Sequence, residues 1–175
     1  MTTNPHMAAP YYRLDPDTVL RAVESAGLET DGRLLALNSY ENRVYQVGLE
    51  DREPVIAKFY RPGRWSDDQI LEEHGFTLEL HAAEIPVVAP LAIDGRTLLD
   101  DAGFRFALFP RQGGHAPELE DRDTLLWLGR FIGRIHAIGA GPPGRDALVA
   151  AGENPRLQKR FVREQRARPA GPAAA

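Results

Sequence analysis

Residues 54–74, PVIAKFYRPGRWSDDQILEEH, place an apolar run carrying one lysine directly before a helix carrying two glutamates. The first seven, 54–60, are apolar except for Lys58 and read as a strand buried on at least one face. Lysine is an unusual choice here, because of 21 Lys and Arg residues only Lys58 and Lys159 are lysine. Arginine serves wherever a positive charge merely has to exist. A lysine kept inside an apolar run therefore points to a need for a compact ammonium rather than a planar fork. Such a group requires a carboxylate partner or an anionic ligand. The following segment supplies the carboxylate. Ser66 and Gln69 form a capping box, Trp65 and Ile70 a hydrophobic staple, and the spacing predicts a helix over 67–83. At about 100° per residue, Glu73 lies beside Ile70, Thr77 and Leu80, whereas Glu72 points toward Glu79 and solvent. Glu73 is the expected partner of Lys58. The pair suits the gripping of phosphate oxygens, and it equally suits a structural ion pair at the edge of a core.

Upstream, residues 15–27 read as a short helix with Asp15 as N-cap, Pro16 in the first turn and Gly27 at the end. Strand-like runs follow at 33–39 and 42–49, and the turn at 49–53, LEDRE, leads into 54–60. Asn42 to Val47 alternates polar and apolar, as a half-buried antiparallel strand does. The loop at 38–42, NSYEN, contains no glycine and is neither a Walker loop nor a Gly-rich phosphate loop. Its means of holding a phosphate are backbone N–H groups and the Ser39 hydroxyl, which serves equally well as a turn residue bonded to its own backbone. Downstream, an extended IPVVAP at 85–90 precedes a hairpin of 91–93 with 97–99 around Asp94-Gly95. A strand at 103–110 and a helix at 123–138, with Gly139 as C-cap, complete the order. Antiparallel strands interrupted by one packed helix make an α+β domain. His74, His81 and His136 fall on helices without ligand spacing and read as packing residues, as Trp65 and Trp127 read as core or staple.

With 175 residues the chain suits one domain, and 43% hydrophobic with 26% charged residues excludes wholesale disorder. A formal net charge of −4 argues against nucleic-acid binding through a basic surface, and the absence of cysteine rules out disulfides, zinc–thiolate sites and thiol catalysis. The N-terminal MTTNPHMAAPYYRLDPD has no basic and apolar leader pattern, and no run approaches 18 apolar residues, so no membrane association and a cytoplasmic location are expected. From Gly139 onward, Ala, Gly and Pro supply 19 of 37 residues and Phe161 is the single aromatic. Such a segment buries too little apolar surface to order itself, apart from one short helix near 156–165. Its basic residues read as solvated charge. The expected division is a flexible 1–9, a sheet domain over 10–110, a helical start over 111–139 and a mostly disordered 140–175.

Five segments together carry a family resemblance: LNSYENRVYQV at 37–47, VIAKFYRPGRWSDDQILEEH at 55–74, IPVVAP at 85–90, GFRFALFP at 103–110 and LGRFIGRIHAIG at 128–139. In this order and spacing they closely resemble the N-terminal part of bacterial stress-response Ser/Thr protein kinases. These belong to the aminoglycoside-phosphotransferase (choline-kinase-like) branch of the kinase fold. The resemblance covers roughly residues 10–139. It implies a kinase-like N-lobe, a curved antiparallel sheet with one packed helix, followed by the first C-lobe helix. It makes Ser39 an ATP-contacting residue of the loop, Lys58 the α/β-phosphate lysine and Glu73 its helix partner. Residues 106–110, with Phe109, become the hinge around adenine. The implied reaction is transfer of the ATP γ-phosphate to Ser or Thr of a protein substrate, with magnesium. The alternatives are a small-molecule phosphotransferase of the same fold and a non-catalytic nucleotide-binding remnant. Family members continue with an HGD-type catalytic loop, a metal-binding Asn and a second Asp. Here Ala-Ile follows His136, Ala-Pro follows His115, and the one Asp after His136 is Asp146, with Ala151 five residues on. No catalytic base or metal ligand is assigned. The expectation is a chain cut short before the catalytic loop and inactive alone.

Overall fold

A computed structural model of the chain describes residues 11–114, 116, 117 and 120–140. The expected flexible N-terminus, His115, Asp146, Lys159 and the expected disordered tail with its short helix lie outside the described residues. The chain divides into two compact units, one formed by residues up to 81 with 87–114, the other by 82–86 with the residues from 115 onward.

The first unit is α+β. Helix α1 (Pro16–Ser25) starts where Asp15 accepts the Thr18 N–H at 2.8 Å; the Thr18 side chain, and after it this N–H, hold the Asp15 carboxyl below the usual carboxylate range. It stops at Ala26, and Gly27 turns left-handed at φ +78°. Strands β1 (Thr30–Leu37), β2 (Arg43–Leu49), β3 (Arg52–Phe59), β4 (Leu99–Asp101) and β5 (Phe104–Pro110) form one antiparallel sheet in the order β1-β2-β3-β5-β4. Helix α2 (Asp67–Ala82) follows β3 and begins with the expected box: the Ser66 N–H donates to Gln69 Oε1 at 2.9 Å, and the Gln69 N–H to Ser66 Oγ at 3.3 Å.

Strand alternation divides the sheet into two faces. Val47, Val55, Ala57, Phe59, Phe104, Phe106 and Leu108 form one core with Val19, Ala22 and Val23 of α1. Ile70 of α2 packs on the opposite face in a smaller cluster with Tyr60, Trp65, Leu98, Ala107 and Phe109. Trp65 and Ile70 thus share a cluster, as the staple requires.

The strand nearest the Asp94-Gly95 turn differs from expectation. That hairpin reduces to a single bridge between Ile93 and Arg96, whereas Leu99–Asp101 pairs with β5 through the two-residue turn Ala102-Gly103, at φ +50° and +82°. Both turn residues are left-handed, the geometry that matches strand twist. Leu99 is buried in the core under α1, so burial rather than the Asp-Gly signal sets the register.

In the second unit, helix α3 (Arg122–Ala140) is capped by Asp121, whose carboxylate accepts the Thr124 N–H at 2.8 Å and its hydroxyl at 2.7 Å. Gly139 is not its C-cap. Gly139 and Ala140 are both buried inside the last helical turn, where no left-handed exit is needed. Trp127 is not a core residue: it is 55% exposed and stacks on Phe131 one turn along, with ring centroids 5.6 Å apart. Among the described residues no helix is long and apolar enough to cross a membrane.

Candidate functional site

Lys58 faces away from the α1 core because its neighbours Ala57 and Phe59 face into it. Its ammonium meets Glu73 Oε1 of α2 at 3.0 Å and lies 4.8 Å over the ring of Tyr60, the residue after β3. The predicted pair is therefore formed. The Lys58 and Glu73 side chains retain 21% and 37% of their exposure. An ion pair that open to water adds about 0–1 kcal/mol to stability. Ile70, with Trp65 just before the helix, and the bonds of His74 described below attach α2 to the sheet.

Register places Lys58 in a row running across the sheet, Leu37–Val44–Lys58–Ala107. The next row on the same face is Leu35–Gln46–Ile56–Phe109. Leu35 is 56% exposed, although leucine on an open sheet face is normally replaced by a polar residue. A cation thus stands beside a partly covered row whose one polar member is Gln46. Phe109 sits in this row, half-buried, with its edge to the His74 ring at 6.3 Å between centroids.

Ser39 lies in the loop between β1 and β2, where its hydroxyl donates to the Asn42 carbonyl at 2.6 Å and closes the turn. The loop is fixed by a residue that sequence reasoning passed over. Glu41 accepts from Arg64 Nε at 2.9 Å and from Trp65 Nε1 at 2.8 Å, both in the segment joining β3 to α2. The Tyr11 hydroxyl donates to the Glu41 carbonyl at 3.0 Å, and burial pushes that phenol up to about 12. Partners more than twenty positions apart leave no local signature. Glu41→Ala strands the Trp65 and Arg64 donors, at a cost of about 1–2 kcal/mol, and frees the loop. The expected outcome is a thermal midpoint lowered by several degrees, read by circular dichroism.

His74 is a packing histidine, as expected, but a fully bonded one: it is 2% exposed, with Nε2 2.7 Å from the Tyr60 hydroxyl and Nδ1 2.8 Å from Thr97 Oγ1. Burial lowers its pKa, with Lys58 acting in the same direction and Glu73 against. The unfolded chain then takes up a proton near pH 6.5 that the fold refuses. Stability from this residue is complete above that pH and declines as pH falls below it, levelling once the folded imidazole protonates. Unfolding midpoints measured between pH 7.5 and 5.5 should fall, and His74→Gln should flatten the slope.

Among the described residues no group of three or more His, Asp or Glu is placed to hold a metal ion.

A lysine–glutamate pair between a central strand and its packed helix, beside a largely apolar sheet face, is the construction of a phosphotransferase N-lobe. The phosphotransferase enzyme family matches residues 33–174, and the chain belongs to it. That match continues past residue 139, where the five quoted segments end. The chain is 50% identical over 129 residues to stress response kinase A of Escherichia coli O157:H7, covering 74% of this chain and 39% of that protein. It is 48% identical over 133 residues to serine/threonine protein kinase RdoA of Salmonella typhimurium, covering 76% and 40%. Among solved structures, amicoumacin kinase hAmiN in complex with AMP-PNP, Ca2+ and Ami aligns with a TM-score of 0.60 at 25% identity, over 73% of this chain and 41% of that one. The chain spans about two fifths of the length of the curated relatives it matches.

Proposed function

We propose that the first unit is the ATP-holding lobe of a cytoplasmic Ser/Thr protein kinase. The observation that carries this reading is the Lys58–Glu73 pair set beside a sheet face on which Leu35 is exposed and Ile56 and Phe109 are half-buried. A planar base fits against this face, with Phe109 at the hinge end. Lys58 then reaches the α- and β-phosphates, and Glu73 keeps the ammonium charged and aimed. The 38–42 loop offers its backbone N–H groups to phosphate oxygens, while the Ser39 hydroxyl and Glu41 hold it in shape. Magnesium supplies charge neutralisation between phosphates in this chemistry. The described residues do not form its ligand set.

A protein acceptor is supported by the likeness to serine/threonine protein kinase RdoA at 48% identity. A small-molecule acceptor is supported by the amicoumacin kinase likeness, at 25% identity. Calorimetric titration of the chain with ATP tests the reading. Saturable one-to-one binding that Lys58→Ala abolishes is expected, and no binding, or binding indifferent to Lys58, overturns it.

A further inference from the structure

His74 follows Glu73 on α2 yet has no part in gripping a phosphate. Its two ring nitrogens link three separate pieces of chain: Tyr60 at the end of β3, α2 itself, and Thr97 in the segment before β4. Tyr60 is 2% exposed, and its phenol is held protonated well above its ordinary range by burial and by Glu73. The chain Tyr60–His74–Thr97 runs alongside the ion pair. Tyr60, the residue after β3, has its ring 4.8 Å under the Lys58 ammonium, and His74 is one residue from Glu73 on one helix.

That placement has an energetic consequence. The half-exposed Lys58–Glu73 pair contributes too little to fix a helix, and apolar contacts at Ile70 are non-directional, tolerating some rotation and slide. Buried hydrogen bonds are directional. Any turn of α2 that broke this chain would leave the buried Tyr60 hydroxyl or the buried His74 ring without a partner. Adjacent helix positions are fixed about 100° apart, so locking the His74 ring in direction locks Glu73 as well.

We propose that Tyr60, His74 and Thr97 are positioning residues that set α2 in the one register where the Glu73 carboxylate meets the Lys58 ammonium. For its effect on nucleotide affinity this inference rests on the function proposed above; for its effect on the ion pair it does not.

The two-lysine composition makes the test direct. Reductive methylation of the 175-residue chain with ¹³C-formaldehyde gives a signal from Lys58, one from Lys159 and one from the terminal α-amine, assigned with Lys58→Arg and Lys159→Arg. Glu73→Gln defines the position of the Lys58 signal without its partner. Tyr60→Phe and Thr97→Val, each confirmed folded by near-ultraviolet circular dichroism, are expected to move the Lys58 signal at least halfway to that position. Lys159 should stay in place, and Thr97→Ser should keep the wild-type spectrum. ATP affinity should drop about three- to tenfold in both variants, within the worth of one buried hydrogen bond. A Lys58 signal unmoved in the folded Tyr60→Phe or Thr97→Val chain overturns the inference, as does one unmoved by Glu73→Gln. If wild-type chain binds no ATP while the Lys58 signal moves as expected, the proposed function fails and the positioning chain stands.

Discussion

Lys58→Ala is expected to lower phosphoryl transfer by at least about a hundredfold, while the thermal midpoint moves by no more than a degree or two. The assay joins residues 1–140 to the remaining sequence of the 50% identical Escherichia coli kinase. On the proposed function, the kinetic loss is that of two charge-assisted contacts to phosphate, at about 1.5–3 kcal/mol each. The small stability change follows from the exposure of the Lys58 and Glu73 side chains, 21% and 37%. Lys58→Arg should fail nearly as badly, because a planar fork at this strand position cannot place a point charge between phosphates. Near-normal turnover with arginine would contradict the phosphate role.

One residue along, the expectation reverses. Phe59 is fully buried, stacked on Phe106 at 5.3 Å between ring centroids and edge-on to Tyr45 at 6.1 Å and Phe104 at 6.5 Å. Phe59→Ala removes the ring and leaves a cavity, at about 3–5 kcal/mol. Single domains hold about 5–15 kcal/mol in all, so the variant should unfold at markedly lower urea or not fold at 37 °C. A shift in midpoint smaller than that of Glu41→Ala would contradict the assignment of Phe59 to the α1-side core. Neighbours on one strand are thus expected to carry opposite burdens, one of chemistry and one of packing.

Much of this was legible in the amino acids. Lys58 stood out because the chain otherwise writes arginine, and Glu73 because helical periodicity places it above Ile70. Both readings use local rules, and both partners meet in the structure at 3.0 Å. The Ser66–Gln69 box and the Asp15 cap are likewise local, and both form. What escaped was set by distance along the chain. Glu41 finds Arg64 and Trp65 across 23 and 24 positions, and His74 finds Thr97 across 23. No pattern within one element announces those pairings. The β4 register escaped for a related reason, since burial of Leu99 outweighs a good Asp-Gly turn signal. Gly139 looked like a helix end because glycine usually is one, yet α3 runs through it to Ala140.

The most direct measurement is chemical. An acyl-phosphate analogue of ATP transfers its acyl group to a lysine amine lying against the phosphates, and this chain offers only Lys58 and Lys159. Mass spectrometry of the folded, labelled chain should find the acyl group on Lys58 and little on Lys159, with excess ATP suppressing the Lys58 label at least tenfold. An unlabelled Lys58, or a Lys58 label that ATP does not suppress, would contradict the assignment of this sheet face to the nucleotide.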